Sequence, residues 1–144
     1  MMKVGVIGCG NIADIYFKNS KQYFNNFEIV ACADIKEEAS KTFAEKYSVR
    51  QLSVEDMLAD KEVEFIINLT IPNVHYDVSK SIIESKKHSY SEKPLSIEFD
   101  DGKKLNEIAK NNDVVATTII TPPTTASTIR SKNPPQKSTC HCLF

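Results

Sequence analysis

The stretch that decides the fold is VIGCGNIAD, residues 6–14, close to the start of the chain. Within it, Gly8, Gly10 and Ala13 match the pattern G-x-G-x-x-A. The first glycine permits a tight turn out of a strand, and the second lets a phosphate group approach the backbone. The small third residue lets the following helix pack closely on the strand. The pattern therefore predicts a strand–turn–helix unit whose helix N-terminus can bind an anion.

Strand-like and helix-like segments alternate on both sides of this turn. Strands are predicted at 3–7, 27–33, 64–69, 88–91 and 114–120, and helices at 11–23, 36–47, 53–59, 73–85 and 99–111. The candidate packing residues of the first helix are Ile12, Ile15, Tyr16, Phe17, Tyr23 and Phe24. Strands that alternate with helices predict an α/β fold, in which right-handed crossovers produce a doubly wound parallel sheet.

An acidic residue, Asp34, ends the second predicted strand, roughly 20 residues after the glycine turn, as in Rossmann dinucleotide-binding domains. A carboxylate there accepts hydrogen bonds from the ribose 2′-hydroxyl and repels a 2′-phosphate. Ile35 supplies no cation and Lys36 is the one nearby cation, so the sequence favours NAD over NADP. The alternative is an ordinary strand–helix turn in which Asp34 caps the next helix.

The overall composition is that of one ordinary domain. The chain has 144 residues, 41% of them apolar and 26% charged, with a net charge of −1. This balance does not favour nucleic acid or an acidic membrane as a partner. The apolar stretch at 4–7 is too short for a lipoprotein signal, so we expect an ordinary first strand in a cytoplasmic protein.

The four cysteines do not predict a metal site. Cys9 and Cys32 lie in apolar surroundings that suit small buried thiols. Cys140 and Cys142 flank His141 and could ligate zinc, but the sequence offers no second ligand cluster to complete four positions. We therefore expect no metal.

Two further stretches carry a family resemblance. NLTIPNVHYDV, residues 68–78, follows the third main strand, and KKHSYSEKPLS, residues 86–96, contains the triplet Glu92-Lys93-Pro94. Together with the glycine turn, they resemble the N-terminal NAD(P)-binding domain of the glucose–fructose oxidoreductase / inositol dehydrogenase (Gfo/Idh/MocA) family over about residues 2–116.

The resemblance implies roles for residues that match these motifs. It places Gly8, Gly10, Asn11 and Ile12 under the pyrophosphate, Asp34 at the adenosine ribose, and Thr70, Pro72, Asn73 and His75 beside the nicotinamide side of the cofactor. It places Glu92 and Lys93 at the nicotinamide ribose and the substrate hydroxyl, with Lys93 as the catalytic residue. The alternatives are a solvated loop lysine for Lys93 and an ordinary helix-start residue for His75.

The composition changes sharply near residue 117. Residues 117–144 contain seven of the nine threonines and four of the six prolines, and no acidic residue. We therefore predict a Rossmann domain at 1–120 and an irregular Thr/Pro/Ser/Lys-rich tail at 121–144. The second domain that the resemblance implies, with the substrate pocket and the usual oligomer contact, is expected to be missing, which would make the chain a truncated member.

Three classes of function follow from these expectations. The first is an NAD-dependent oxidoreductase acting on a sugar or polyol hydroxyl, with weak or lost catalysis. The second is a nucleotide-binding module that works with a partner chain supplying the substrate contacts. The third is a non-catalytic fragment. The expected ligand is a dinucleotide in all but the last class, and the sequence leaves the substrate and the oligomeric state open.

Overall fold

A parallel sheet forms the centre of the computed structural model, which describes residues 1–118. Its strands are β1 (Met2–Ile7), β2 (Phe27–Ala33), β3 (Arg50–Gln51), β4 (Phe65–Asn68), β5 (His88–Ser91) and β6 (Ala116–Thr118). The helices are α1 (Ala13–Tyr23), α2 (Glu37–Tyr47), α3 (Val54–Ala59), α4 (His75–Glu84) and α5 (Phe99–Asn111), and a 3-10 turn (Pro72–Val74) precedes α4.

The strand order confirms the predicted doubly wound sheet. Neighbouring strands follow the order β3-β2-β1-β4-β5-β6, and every pair is parallel. The chain therefore adds β2 and β3 on one side of β1, and then adds β4, β5 and β6 on the other side. The order reverses between β1 and β4, which leaves a crevice at their carboxyl ends.

Both faces of the sheet are covered by helices. On one face, Val4 and Val6 of β1 belong to a buried cluster with Phe17 of α1 and Tyr47 of α2. On the other, Ile7 belongs to a cluster with Met57 of α3 and Ile82 of α4. Because successive side chains of a strand point to opposite faces, β1 contributes to both cores. A third cluster joins Ile83 of α4 to Leu105 of α5.

The packing prediction for the first helix was partly wrong. Phe17 is buried and Tyr16 is half-buried, whereas Ile15 and Tyr23 are 57% and 68% exposed. The apolar candidates were spread around more of the helix than the single stripe that contacts a sheet. Strand β3 was also not predicted, because two residues are too short to show an alternating pattern.

Some predictions fall outside residues 1–118. These are the tail at 121–144, the last two residues of the strand predicted at 114–120, and the Cys140–His141–Cys142 group. Within the described residues, no helix combines the length and the apolar character required to cross a membrane.

Candidate functional site

The crevice between β1 and β4 is closed at its base by close contact between two loops. Gly8 follows β1 with φ of +102°, a conformation that residues with a side chain rarely adopt. A Cβ at Gly8 would lie 2.6 Å from the carbonyl carbon and oxygen of Leu69, just after β4. The backbone therefore passes through a space that only glycine fits, at the point where the strand order reverses.

Gly10 lies in the opposite kind of surroundings. Apart from Gly10 and its two neighbours in the chain, no residue of the described part comes within 4 Å of the position that a Cβ would occupy there. Gly10, Asn11 and Ile12 are exposed, whereas Ala13 is fully buried. Ile12, the N-cap of α1, makes no side-chain capping hydrogen bond. The first turn of α1 thus presents an open backbone surface, which fits the approach of a phosphate group.

Asp34 lies beside the glycine turn. Its Oδ2 accepts a hydrogen bond from the Cys9 N–H at 2.7 Å, and its Oδ1 accepts one from the Lys36 N–H at 2.8 Å. The N-cap of α2 is Lys36, whose side chain makes no capping hydrogen bond, so Asp34 does not occupy the N-cap position that the alternative interpretation gave it. The carboxylate is partly exposed, and it bridges the ends of β1 and β2.

The loop after β4 is organised by a buried asparagine that the sequence analysis did not single out. Oδ1 of Asn68 accepts hydrogen bonds from the Thr70 N–H at 3.2 Å and the Thr70 hydroxyl at 2.6 Å. Its Nδ2 donates to the His75 carbonyl at 3.1 Å and to Ser79 Oγ at 3.0 Å. Pro72 and Asn73 are exposed on the 3-10 turn between these anchored positions.

His75 joins this loop to the next one. Its side chain is buried, with Nδ1 2.7 Å from the Pro94 carbonyl oxygen and Nε2 2.8 Å from the Thr70 carbonyl oxygen. Because both ring nitrogens face backbone carbonyls, the ring can influence a ligand only through the loops that it holds.

Glu92 and Lys93 follow β5 at the same edge of the sheet. The Glu92 N–H donates to the Asn68 carbonyl at 3.1 Å, and the Lys93 N–H donates to Glu92 Oε2 at 3.2 Å. The Lys93 side chain is exposed, and the Lys93–Pro94 peptide bond is cis. The loop after β5 is therefore attached through Asn68 to the loop after β4.

Two tyrosines complete the site, and the sequence analysis did not assign them to it. The Tyr16 hydroxyl on α1 donates to Glu92 Oε1, and the Tyr90 hydroxyl lies 3.3 Å from the Tyr16 hydroxyl. Burial raises the pKa of both phenols, and the adjacent Glu92 raises that of Tyr16 further. One available signal was the helical spacing of Tyr16, three residues after the buried Ala13 and thus on the same side of α1.

The structure brings all of the predicted site residues to one edge of the sheet. They lie at the carboxyl ends of four strands, namely Gly8, Gly10, Asn11 and Ile12 after β1, Asp34 after β2, Thr70, Pro72, Asn73 and His75 after β4, and Glu92 and Lys93 after β5. In open α/β sheets of this order, ligands bind at this edge.

Comparisons with known proteins agree with this architecture. The model of an oxidoreductase family with an NAD-binding Rossmann fold, GFO_IDH_MocA, matches residues 2–119. Myo-inositol 2-dehydrogenase of Thermotoga maritima is 29% identical over 116 residues, which cover 79% of this chain and 34% of that protein. Inositol 2-dehydrogenase of Salmonella typhimurium is 25% identical over 114 residues, covering 77% of this chain and 34% of that protein.

A solved structure gives the same result. The WlbA dehydrogenase of Chromobacterium violaceum, in complex with NADH and UDP-GlcNAcA, superposes with a TM-score of 0.77 at 25% identity. The match covers 82% of this chain and 34% of that chain. The chain thus spans about a third of the length of the curated relatives that it matches.

Proposed function

Because this chain belongs to the Gfo/Idh/MocA oxidoreductase family, we propose that it binds NAD at the carboxyl edge of its sheet and serves hydride transfer between the nicotinamide and the carbon that bears a sugar or polyol hydroxyl. The observation that carries the proposal is the contrast between the two glycines. Gly8 closes the crevice against Leu69, whereas the space above Gly10 is open. A dinucleotide needs both features, a tight turn and an exposed backbone.

The residues around the crevice fit the parts of a dinucleotide. The exposed backbone of Gly10, Asn11 and Ile12 would hold the pyrophosphate at the start of α1. Asp34 would accept hydrogen bonds from the hydroxyls of the adenosine ribose. Each of its carboxylate oxygens accepts one bond from the protein and has capacity for another. This carboxylate is the reason that we propose NAD rather than NADP.

The loops after β4 and β5 would receive the nicotinamide half of the cofactor. Thr70, Pro72 and Asn73 would lie along it, with His75 holding their loop in place through the Thr70 carbonyl. Glu92 would bind the nicotinamide ribose. The bound cofactor supplies the acceptor or donor of the hydride.

We assign the proton chemistry to Lys93. Oxidation of a secondary alcohol releases a proton along with the hydride, so a basic or cationic group beside the hydroxyl assists the reaction. The exposed Lys93 ammonium would hold the substrate hydroxyl, stabilise the alkoxide that develops on it and relay the released proton to solvent. The inositol dehydrogenases among the relatives suggest a polyol as substrate.

A nucleotide-binding module whose substrate contacts come from another polypeptide is the second candidate. Exposed apolar side chains favour it, because Ile71 and Ile97 are both 64% exposed beside the loops of the site and Phe99 is 78% exposed at the start of α5. Ile97 and Phe99 line the same surface pocket, and exposed apolar side chains grouped in this way are typical of an interaction site. We also propose that the protein is located in the cytoplasm. The two thiols that the structure describes, Cys9 and Cys32, are free, and thiols remain reduced in that compartment.

The proposal is tested by titrating the 144-residue chain into NADH and NADPH while following nicotinamide fluorescence. We expect saturable NADH binding and weaker NADPH binding. In Asp34→Asn, NADH affinity should fall about tenfold, since a hydrogen bond to a charged group contributes roughly 1.5–3 kcal/mol. Glu38→Gln, an exposed change of the same kind on α2, should bind like the original chain.

The outcomes separate the two parts of the proposal. Equal affinity for NADH and NADPH in the original chain would contradict the cofactor preference. Absence of binding to either cofactor, by protein whose circular dichroism shows the α/β fold, would contradict the proposed function as a whole.

A further inference from the structure

We propose that Tyr16 is a positioning residue whose hydroxyl holds the Glu92 carboxylate in the orientation that binds the nicotinamide ribose. The inference rests on the proposed function and adds a residue to it. Tyr16 and Glu92 are separated by 76 positions in the chain, and the fold brings them into hydrogen-bond contact.

The phenol of Tyr16 is held firmly where it meets Glu92. Tyr16 packs against the buried cluster that contains Val4 and Phe17. Its ring lies 6.2 Å from the ring of Tyr90, centroid to centroid, at an interplanar angle of 57°. These contacts therefore fix the position of the Tyr16 hydroxyl relative to α1, the helix that begins at the glycine turn.

Tyr16 acts as a hydrogen-bond donor. The carboxylate of Glu92 can only accept, and the phenol is half-buried, with its pKa raised by burial and by Glu92. The Tyr16 phenol therefore stays protonated at neutral pH. It donates a hydrogen bond to Glu92 but does not give up its proton. This separates its role from that proposed for Lys93.

Glu92 depends on Tyr16 for its orientation. Its backbone is held by the Asn68 carbonyl, and Oε2 accepts from the Lys93 N–H at 3.2 Å. Among residues 1–118, the Tyr16 hydroxyl makes the one hydrogen bond to Oε1, so without it the Glu92 side chain can rotate about its bonds. Each carboxylate oxygen accepts more than one hydrogen bond, so a ribose hydroxyl can bind Glu92 while Tyr16 remains attached.

The contact also connects the two halves of the proposed cofactor site. Helix α1 starts at the turn proposed for the pyrophosphate, and Glu92 lies in the loop proposed for the nicotinamide ribose. A hydrogen bond from α1 to Glu92 therefore restrains the distance between the proposed pyrophosphate site and the proposed nicotinamide-ribose site.

The experiment compares three ligands in Tyr16→Phe, which removes the hydroxyl and keeps the ring. ADP carries the pyrophosphate and adenosine, ADP-ribose adds the second ribose, and NADH adds the nicotinamide. We expect affinity for NADH and ADP-ribose to fall about tenfold and affinity for ADP to stay unchanged. Tyr23→Phe, on the same helix and 68% exposed, is the matched control and should bind all three ligands normally.

A double variant identifies the route of the effect. If Tyr16 acts through Glu92, the combination of Tyr16→Phe with Glu92→Ala should bind NADH as weakly as Glu92→Ala alone, with no further loss. A structural role for the hydroxyl would instead produce an additional loss in the double variant.

Three results would overturn the inference. Unchanged NADH binding by Tyr16→Phe, in a chain whose original form binds NADH, would contradict the inference and leave the proposed function intact. Equal weakening of ADP and NADH would show that the hydroxyl supports α1 in general. Absence of NADH binding by the original chain would contradict the proposed function and, with it, this inference.

Discussion

Gly8 and Gly10 lie two positions apart, yet they are glycine for different physical reasons. At Gly8 the reason is internal, because a Cβ would meet the Leu69 backbone at 2.6 Å and φ is +102°. At Gly10 no other residue of 1–118, apart from its two chain neighbours, lies within 4 Å of the Cβ position, so packing in this part of the chain does not require glycine. In the proposed function, glycine there leaves room for the pyrophosphate to approach the backbone.

This difference predicts opposite results for the two alanine variants. Gly10→Ala should unfold at the same temperature as the original chain and lose most of its affinity for NADH, because the new methyl group occupies the space proposed for the pyrophosphate. Gly8→Ala should be destabilised, since the Leu69 backbone cannot move away cheaply. Thermal unfolding and NADH titration of both variants provide the measurements, and undiminished binding by Gly10→Ala would contradict the proposed position of the pyrophosphate.

At the scale of elements, helices α1 and α2 are joined by a cluster of charges around Asp14. Lys18 lies 2.5 Å from one carboxylate oxygen, and Lys46 and the Tyr47 hydroxyl of α2 contact the other. These partners hold the pKa of Asp14 well below its ordinary value. The cluster is on the surface, so the stability that it contributes is modest.

The lowered pKa determines how the effect of Asp14→Asn varies with pH. A carboxyl group whose pKa is lower in the folded state stabilises the fold above its unfolded pKa of about 3.9, and this contribution is lost as the pH falls further. Asp14→Asn should therefore be less stable than the original chain at pH 7, and the difference should shrink below about pH 4. Urea unfolding at pH 7, 5, 4 and 3 measures it.

A matched variant separates the ion pairs from general charge effects. Glu45→Gln removes one negative charge from an exposed position of α2, and it should show little change in stability at any of these pH values. A stability loss in Asp14→Asn that stays constant from pH 7 to pH 3 would show that the charge of Asp14 is not its cause.

At the scale of the whole molecule, the proposed site and a buried lysine occupy opposite edges of the sheet. Lys87 immediately precedes β5, is only 7% exposed, and donates to the carbonyls of Asp60 and Val63 at 2.6 and 2.7 Å. Burial lowers its pKa. The Lys87 amine therefore donates hydrogen bonds at the edge of the sheet where the strands begin, which is opposite the edge that carries the glycine turn.

This placement predicts that stability and nucleotide binding can be changed separately. Lys87→Met keeps the aliphatic chain but leaves two carbonyls without a donor, so the free energy of unfolding should fall by about 1–3 kcal/mol. Under conditions where the variant is folded, its NADH affinity should equal that of the original chain. Lys61→Met, at an exposed position nearby, is the control and should change neither quantity. Weaker NADH binding by folded Lys87→Met would contradict the separation.

Local patterns in the sequence were sufficient to predict the fold. The glycine turn, the alternation of strands and helices, and Asp34 at the end of β2 all depend on residues near one another in the chain. Their backbone preferences and periodicity are encoded within a few positions, so they can be read before any tertiary contact is known. The family match and the strand order confirm the doubly wound sheet that these patterns predicted.

Only the tertiary structure decided which side chains meet across the site. Tyr16 reaches Glu92, His75 connects Thr70 to Pro94, and Asn68 anchors the loops after β4 and β5. These contacts depend on strand order, register and the rotation of each helix about its axis. Periodicity along the chain identifies a helix, but it does not determine which distant residue its side chains contact, which is why Tyr16 was predicted only as a packing residue.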